Sequence, residues 1–336
     1  RIQAITSSSA PLRDMQFVLE EVIGLDQVAT LPGYEEVSDD LVRAVLAEAG
    51  KFGAEVLAPL NRGGDTEGAR LENWVPARET LRFVPGDRVM ATVHYGGYAS
   101  EAVTDASTVY AIPDNLDFIS AAAFPIVYGT SHVGLRDKLK LQAGETLLVH
   151  GAAGGVGLTA VEIAKKMGAT VIATAGGPDK LAVAKEYGAD HLIDYREEDI
   201  RQRVKQLTDG RGVDCVYDPV GGSAFDASLR CTVQGGRILV VGFASGTVPQ
   251  IPANILLVKN LSVLGFYWGA HRVLDPDLLE DSFGELLGWM AAGDLRPHVS
   301  HVFDLADVKD AMNMLLSRKS TGKVVLTTGA GAGALN

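Results

Sequence analysis

The chain has 336 residues, which is enough for two domains with substantial hydrophobic cores. Hydrophobic residues make up 47% and charged residues 21%, as in ordinary globular proteins, and the formal net charge of −12 argues against nucleic-acid and anionic-membrane partners. No apolar run reaches the roughly 18 residues that span a bilayer, and the N-terminus lacks the apolar core of a secretory signal. The only two cysteines, Cys215 and Cys231, are expected to be buried packing residues, so the composition predicts a cytoplasmic protein.

The first eighty residues have a helical pattern. Apolar side chains recur three and four positions apart over residues 12–22 and again over 42–57. Asp39 and Asp40 lie at a plausible helix start, and Pro59 ends the second helix. These features predict a helical N-terminal segment over residues 1–80.

From residue 146 onward, short apolar strands alternate with amphipathic helices. Strict alternation predicts an α/β protein with a Rossmann fold, in which helices cover both faces of a doubly wound parallel sheet. The predicted strands are Thr146–His150, Val171–Ala175, His191–Asp194, Val213–Asp218, Arg237–Val241 and Leu261–Phe266; the predicted helices run from the first glycine-rich turn to Gly168, over Asp179–Tyr187 and over Glu197–Leu207.

The glycine-rich turn Gly151–Gly157 separates the first of these strands from the first helix. Gly154 and Gly157 occupy the second and third glycine positions of the G-x-G-x-x-G pattern, and Ala152 replaces the first. The amides at such a helix N-terminus bind a pyrophosphate, provided that no bulky side chain keeps the ligand away. Gly154, Gly155, Val156 and Gly157 are therefore predicted to bind a dinucleotide.

The end of the second strand indicates which dinucleotide. NAD-binding proteins usually carry an acidic residue there for the ribose 2′-hydroxyl, whereas a 2′-phosphate requires cations. In this chain Gly176 follows the strand. Asp179 belongs to the first turn of the next helix, where the helix dipole favours a negative charge. Lys180 is either a phosphate ligand or a solvated helix residue, and spacing alone does not decide between them.

Several segments, taken in order, resemble the medium-chain dehydrogenase/reductase superfamily, and within it the zinc-free NADPH:quinone oxidoreductases related to ζ-crystallin. The resemblance extends from about Leu81 to Thr328. It is carried by His150–Gly157, Ile193–Glu197 and Ser317–Val325, together with Arg82–Val89, Gly96–Ser100, Ala121–Pro125, Tyr128–Thr130 and Asn260–Phe266.

This resemblance implies NADPH as the cofactor and assigns further binding residues. It places the 2′-phosphate on Gly176, Lys180, Tyr195 and Arg318, and it places Thr130 beside the nicotinamide ribose. The positions along the nicotinamide half are Val220, Gly242, Phe243, Phe266 and Trp268. No catalytic residue is assigned. Two cysteines cannot form a four-cysteine structural zinc site, and the seven histidines lack metal-ligand spacing, so no metal is expected.

The domain prediction follows from the same comparison. Residues 121–268 are the Rossmann domain, and 81–120 with 269–336 form a partial GroES-like β domain. Family members begin with a longer β-rich portion, whereas residues 10–73 resemble the N-terminal helical region of acyl-CoA dehydrogenases. Neither the flavin site nor the catalytic glutamate of those enzymes is carried over. One wall of the substrate cleft would then be missing, and the sequence alone does not decide the origin of the junction near Trp74–Leu81.

The leading functional prediction is two-electron reduction of a quinone or similar conjugated carbonyl by NADPH. An enoyl-thioester (2-enoyl-CoA) reductase of the same superfamily and a nucleotide-binding protein without turnover remain as alternatives. Because Leu261–Phe266 would lie at a sheet edge where relatives pair, a homodimer is also expected.

Overall fold

The computed structural model describes residues 38–52, 83–84, 86–93 and 95–329. The chain divides into two units, Arg1–Leu81 and Arg82–Asn336. In the first unit, helix α1 (Asp39–Phe52) confirms the predicted helix start, and the Ser38 hydroxyl accepts a hydrogen bond from the Leu41 amide at 3.2 Å. The predicted helix over 12–22, the helix end at Pro59 and the junction near residues 74–81 lie outside the described residues.

In the second unit, one two-stranded sheet precedes the larger sheet in sequence and another follows it. Strands β1 (Val89–Ala91) and β2 (Val109–Ala111) pair antiparallel, with Met90 opposite Tyr110, and both of these side chains are buried. Strands β9 (Val299–Asp304) and β10 (Lys323–Thr327) pair in parallel. These strands lie in the two sequence ranges predicted to form the GroES-like part.

A six-stranded parallel sheet is the largest feature of the second unit, as predicted. Its spatial order is β5-β4-β3-β6-β7-β8, so the chain starts in the middle, winds to one edge, returns and winds to the other. The strands are β3 (Thr146–Val149), β4 (Thr170–Ala175), β5 (His191–Asp194), β6 (Val213–Asp218), β7 (Thr232–Val240) and β8 (Ser262–Gly265).

Strand β7 begins at Thr232, five residues before the predicted start at Arg237. The register of its pairing with β6 shifts between Val213 and Cys215, which is the irregularity that a bulge produces. Gly235, with φ of +76°, lies in this stretch. A bulge accommodates such a glycine conformation inside a strand.

The five helices between Gly155 and Lys259 pack on the faces of the six-stranded sheet, whereas Val308–Leu316 packs on β9 and β10. Helix α6 starts at Ile200 rather than at the predicted Glu197, because the Asp199 carboxylate caps it by accepting from the Gln202 amide at 2.7 Å. Of the helices described in the second unit, only those that correspond to α4, α5 and α6 were predicted from the sequence. The helices are α2 (Phe118–Ala123), α3 (Pro125–Val133), α4 (Gly155–Lys166), α5 (Pro178–Glu186), α6 (Ile200–Leu207), α7 (Gly222–Cys231), α8 (Ala253–Lys259), α9 (His271–Leu274), α10 (Pro276–Ala291) and α11 (Val308–Leu316).

Side chains alternate between the two faces of the sheet, and each face has its own core. Leu147 and Val149 pack into one cluster, whereas Leu148, between them, packs into the other. Both cysteines are buried and free, as predicted. Within the described ranges, no helix is long and apolar enough to cross a membrane.

Candidate dinucleotide-binding site

A cleft of about 980 Å³ opens beyond the carboxyl ends of the central strands. Strands β3 and β6 lie side by side where the strand order reverses, and ligands of open α/β sheets bind at this position. All fourteen residues predicted to contact the cofactor line this one cleft: Thr130, Gly154, Gly155, Val156, Gly157, Gly176, Lys180, Tyr195, Val220, Gly242, Phe243, Phe266, Trp268 and Arg318.

The glycine-rich turn forms the middle of the cleft. Gly154 is the N-cap residue of α4 and provides no capping side chain, so the first-turn amides of that helix have no side-chain acceptor at the cap. The turn is held from both sides, because the Ala152 amide donates to the Thr174 carbonyl at 3.0 Å and the Gly322 amide donates to the Ala153 carbonyl at 2.8 Å. A helix N-terminus fixed in this way suits an anionic group such as a pyrophosphate.

The left-handed residue of the turn is Gly151, which the glycine pattern did not single out. The φ angle of Gly151 is +57°. Ala152, which occupies the motif's first glycine position, is buried. Gly151 also contacts Gly157, since a Cβ on Gly157 would lie only 2.8 Å from the Gly151 carbonyl carbon. The turn therefore depends on glycine at both positions.

His150 is fully buried behind the turn, and its ring cross-links three elements. Its Nδ1 lies 3.0 Å from the Thr174 hydroxyl of β4, and its Nε2 lies 2.8 Å from the Ser228 hydroxyl of α7. Because the Ser228 hydroxyl donates to the Ala224 carbonyl at 2.9 Å, it accepts from Nε2, which therefore carries the proton. Burial lowers the pKa of His150, so the ring is a neutral support for the turn.

The corner of the cleft at the end of β4 brings together the residues predicted for a 2′-phosphate. A Cβ at Gly176 would lie 2.7 Å from the Tyr195 hydroxyl, so glycine leaves room that a side chain would fill. The Lys180 ammonium donates to the Arg318 carbonyl at 2.6 Å, although 138 residues separate the two in sequence. Burial lowers the pKa of Lys180, and the charges of Arg196 and Arg318 lower it further.

The other half of the cleft is built on the loops after β6 and β7. The Asp218 carboxylate accepts from the amides of Val220 and Gly221 at 2.8 and 2.9 Å, which shapes the first loop. A Cβ at Gly242 would lie 3.3 Å from the Pro219 carbonyl, so the two loops approach closely. These contacts present backbone on this side of the cleft, as expected for Val220 and Gly242.

Aromatic residues line the same half. Phe266 and Trp268 are buried in the core beside α3, and the Trp268 indole packs against Gly129, so these residues support the cleft while also lining it. Phe243 is 44% exposed. Val93, Tyr267 and Arg272 also line the cleft and were not predicted. The Arg272 guanidinium donates to the Thr92 carbonyl at 2.6 Å.

Among the described residues, no group of three or more His, Cys, Asp and Glu side chains is arranged to hold a metal ion. Buried histidine nitrogens form hydrogen bonds with hydroxyl groups instead. The Nδ1 of His132, for example, lies 2.8 Å from the Ser282 hydroxyl. That the protein requires no metal stays a prediction.

Comparison with known proteins places this architecture in a family. The family profile described as "Zinc-binding dehydrogenase" matches residues 155–289. "Quinone oxidoreductase-like protein 2 homolog" of Nematostella vectensis is 42% identical over 286 residues, covering 84% of this chain and 78% of the relative. "Quinone oxidoreductase-like protein 2" of Mus musculus is 34% identical over 317 residues, covering 92% of this chain and 90% of the relative.

A solved structure has the same fold. The crystal structure of Escherichia coli quinone oxidoreductase complexed with NADPH superposes with a TM-score of 0.70 at 32% identity, covering 74% of this chain and 77% of that chain. The sheet order, the glycine-rich turn and these similarities all indicate the same family. The chain belongs to the quinone oxidoreductase family of the medium-chain dehydrogenase/reductase superfamily.

Proposed function

We propose that this chain is an NADPH-dependent oxidoreductase that reduces quinones or similar conjugated carbonyl compounds. The observation that carries the proposal is the corner at Gly176, where Lys180 and Arg318 meet with no carboxylate partner among the described residues. The Lys180 ammonium contacts the Arg318 backbone carbonyl, and the Arg318 charge lowers the pKa of Lys180, so a bound anion would offset the repulsion between the two cations. The NADPH complex of the Escherichia coli relative supports the same cofactor.

The residues of the cleft fit each part of that cofactor. The amides at the start of α4 suit the pyrophosphate, and Gly157 keeps this turn compact. We assign Thr130, Val220 and Gly242, which line the cleft, to the nicotinamide half. When bound, NADPH supplies the hydride. No Lewis acid is proposed, so the contribution of the chain is to orient the cofactor and the acceptor.

The lining of the nicotinamide half favours a flat, apolar and electron-poor acceptor. Val93, Phe266, Tyr267 and Trp268 provide apolar and aromatic surface, and Arg272 is a cation at the same end. A quinone has this shape and carries carbonyl oxygens that accept hydrogen bonds. An enoyl thioester has the same reactive group and is therefore included as a competing substrate in the test.

The test is an NADPH oxidation assay with a soluble benzoquinone and with an enoyl-CoA, accompanied by direct titration of NADPH binding. We expect binding together with faster turnover of the quinone. Faster turnover of the enoyl-CoA would reassign the substrate class. Binding without oxidation of NADPH by either acceptor would indicate a nucleotide-binding protein without this activity.

Two further features belong to the same proposal. β8 is an edge strand of the six-stranded sheet, and next to it α8 exposes Leu257 and Val258 at 78% and 71%. An unpaired strand edge beside an apolar surface favours pairing with a second copy, so we propose a homodimer. We also propose a reducing cytoplasmic location, since both cysteines are free and buried.

A further inference from the structure

The loop after β5 carries an arginine that lies directly against the Gly176–Gly177 backbone. A Cβ at Gly176 would lie 2.8 Å from the Arg196 Nε, and a Cβ at Gly177 would lie 3.3 Å from its Nη1. The guanidinium therefore packs along the same two glycines that leave room at the end of β4. Arg196 was not among the residues predicted from sequence.

The position of Arg196 is set by the neighbouring aspartate. One Asp194 oxygen accepts from the Arg196 amide at 3.0 Å, and the other accepts from the Gly177 amide at 3.1 Å. A single carboxylate thus ties the loop after β5 to the turn after β4. This carboxylate is occupied by backbone amides at both of its oxygens.

The charges around this corner are unbalanced. Glu198, in the same loop, forms an ion pair with Arg203 at 3.0 Å and also accepts a hydrogen bond from the Asp194 amide. Among the described residues, no ion pair involves Lys180, Arg196 or Arg318. The charges of Arg196 and Arg318 both act on Lys180, so the three cations belong to one electrostatic cluster. Such a cluster attracts an anionic group.

We propose that Arg196 is a specificity-determining residue that binds the 2′-phosphate of NADPH together with Lys180 and Arg318. This inference rests on the proposed cofactor. It adds a third cation, one whose planar guanidinium donates two parallel hydrogen bonds to phosphate oxygens, which a lysine ammonium does not do. Arg196 therefore contributes to the choice of NADPH over NADH.

The test compares NADPH and NADH affinities of the full chain by fluorescence titration or calorimetry, with 2′,5′-ADP and 5′-AMP as matched fragments. Arg196→Gln removes the charge and keeps a similar length. Arg201→Gln is the control, because Arg201 is an exposed arginine on α6, outside the loop that packs against Gly176 and Gly177. Neither arginine is part of the cleft lining, but the Arg196 guanidinium lies against Gly176, which lines it. Arg196→Lys tests whether charge alone suffices.

We expect Arg196→Gln to weaken NADPH and 2′,5′-ADP by about tenfold or more, as for a lost charge-assisted contact, with NADH and 5′-AMP changed less than about twofold. Arg196→Lys should recover part of the loss, and Arg201→Gln should change none of the four affinities. Equal losses for both members of each pair would mean an adenosine contact and overturn the inference.

The failure of the underlying proposal has a different signature. If the unmodified chain binds NADPH no more tightly than NADH, the 2′-phosphate site itself is wrong, and the inference fails with it. If the unmodified chain prefers NADPH and Arg196→Gln keeps the full preference, the proposed cofactor stands and only the role of Arg196 is overturned.

Discussion

At Gly157 the first turn of α4 passes so close to Gly151 that the position has no room for a Cβ. The nearest atoms are the backbone of Gly151 and the Cα of Ala152, at 3.0 Å from a built Cβ in the latter case. In the dinucleotide motif the third glycine allows close packing of the helix against the strand. The structure assigns its close contact to the turn's own backbone, which has no flexible side chain that can move away.

Gly157→Ala should therefore open the turn and weaken NADPH binding by more than about tenfold, with a loss of stability typical of overpacking, about 1–3 kcal/mol. Gly284→Ala is the matched control, because no atom lies within 4 Å of a Cβ at this position of α10. It should stabilise the fold by up to about 1 kcal/mol through helix propensity and leave NADPH affinity unchanged. Titration of NADPH and urea unfolding measure both effects. Normal NADPH affinity in Gly157→Ala would mean that the turn is not the pyrophosphate site.

Lys180 allows a test of the phosphate corner by pH. Burial and the two neighbouring arginines lower its pKa, and a bound phosphate favours the protonated form. The preference for NADPH over NADH should be constant below the pKa of Lys180 and decline as pH rises through it. Because that pKa is lowered, the decline should begin at a lower pH than for an ordinary lysine. Lys180→Arg stays protonated and should keep its preference at high pH.

Affinities for both cofactors measured from about pH 7 to about pH 10 test this prediction, since lysine normally titrates near the upper end of that range. The Tyr195 hydroxyl lies in the same corner, so a parallel series in Tyr195→Phe shows what that hydroxyl contributes. Lys180→Ala at neutral pH should weaken NADPH by about ten- to a hundredfold and leave NADH nearly unchanged. A parallel decline for both cofactors would argue against a lysine–phosphate contact.

At the scale of elements, α4 is held in position by a buried carboxylate on its inner side. Glu162 accepts from the Tyr128 hydroxyl of α3 at 2.6 Å and from the Arg296 amide ahead of β9 at 2.8 Å. Tyr128 and Glu162 are 1% and 8% exposed. The carboxylate thus joins the helix that carries the phosphate turn to two segments distant in sequence. Burial raises the pKa of Glu162, and the Tyr128 hydrogen bond opposes that rise.

Tyr128→Phe should destabilise the protein by about 1–3 kcal/mol at neutral pH, because a buried carboxylate loses a donor. A carboxyl with a raised folded-state pKa gives its full stability below the unfolded pKa and loses it as pH rises through the folded value. Removing Tyr128 raises the folded pKa of Glu162 further. The penalty should therefore be largest above that pKa and shrink as the carboxyl becomes protonated.

Urea unfolding at several values between about pH 5 and about pH 8, where linkage to buried carboxyls is measurable, tests this. Tyr217→Phe is the control, because the buried Tyr217 hydroxyl lies 3.1 Å from the neutral Ser131 hydroxyl, and its penalty should not vary with pH. The double variant Tyr128→Phe/Glu162→Gln should lose the pH dependence. A Tyr128→Phe penalty that is the same at every pH would contradict the assignment.

At the scale of the whole molecule, the unit Arg82–Asn336 contains the predicted Rossmann range and, apart from Leu81, both GroES-like ranges. The finer division at residues 121 and 269 stays a prediction. Residues 82–336 make up about three quarters of the chain, whereas the match to the mouse relative covers 92% of it. That match therefore includes part of the first eighty residues. The resemblance of residues 10–73 to acyl-CoA dehydrogenases, and the missing wall of the cleft that it implies, also remain predictions.

The proposed homodimer is tested by sedimentation. The chain of 35.5 kDa should sediment as a dimer, and Leu257→Asp combined with Val258→Asp should shift it to the monomer, because two charges would face the partner's apolar surface. Leu316→Asp is the control, since this residue of α11 is 79% exposed and lies on a different helix. A chain that sediments as a monomer before any substitution would refute the homodimer. A dimer that survives the double substitution would place the interface elsewhere.

The sequence by itself determined the parallel sheet, the glycine-rich turn, the buried cysteines and the family. These features depend on local periodicity and on glycines at fixed spacing, which are readable over a few neighbouring residues. Only the tertiary structure decided that Gly151 adopts the left-handed conformation of the turn and that Arg196 lies against Gly176. It also decided that Lys180 contacts Arg318 from 138 positions away. Contacts of this kind arise when separate strands end at the same edge of a sheet, and no pattern within one segment encodes where another segment ends.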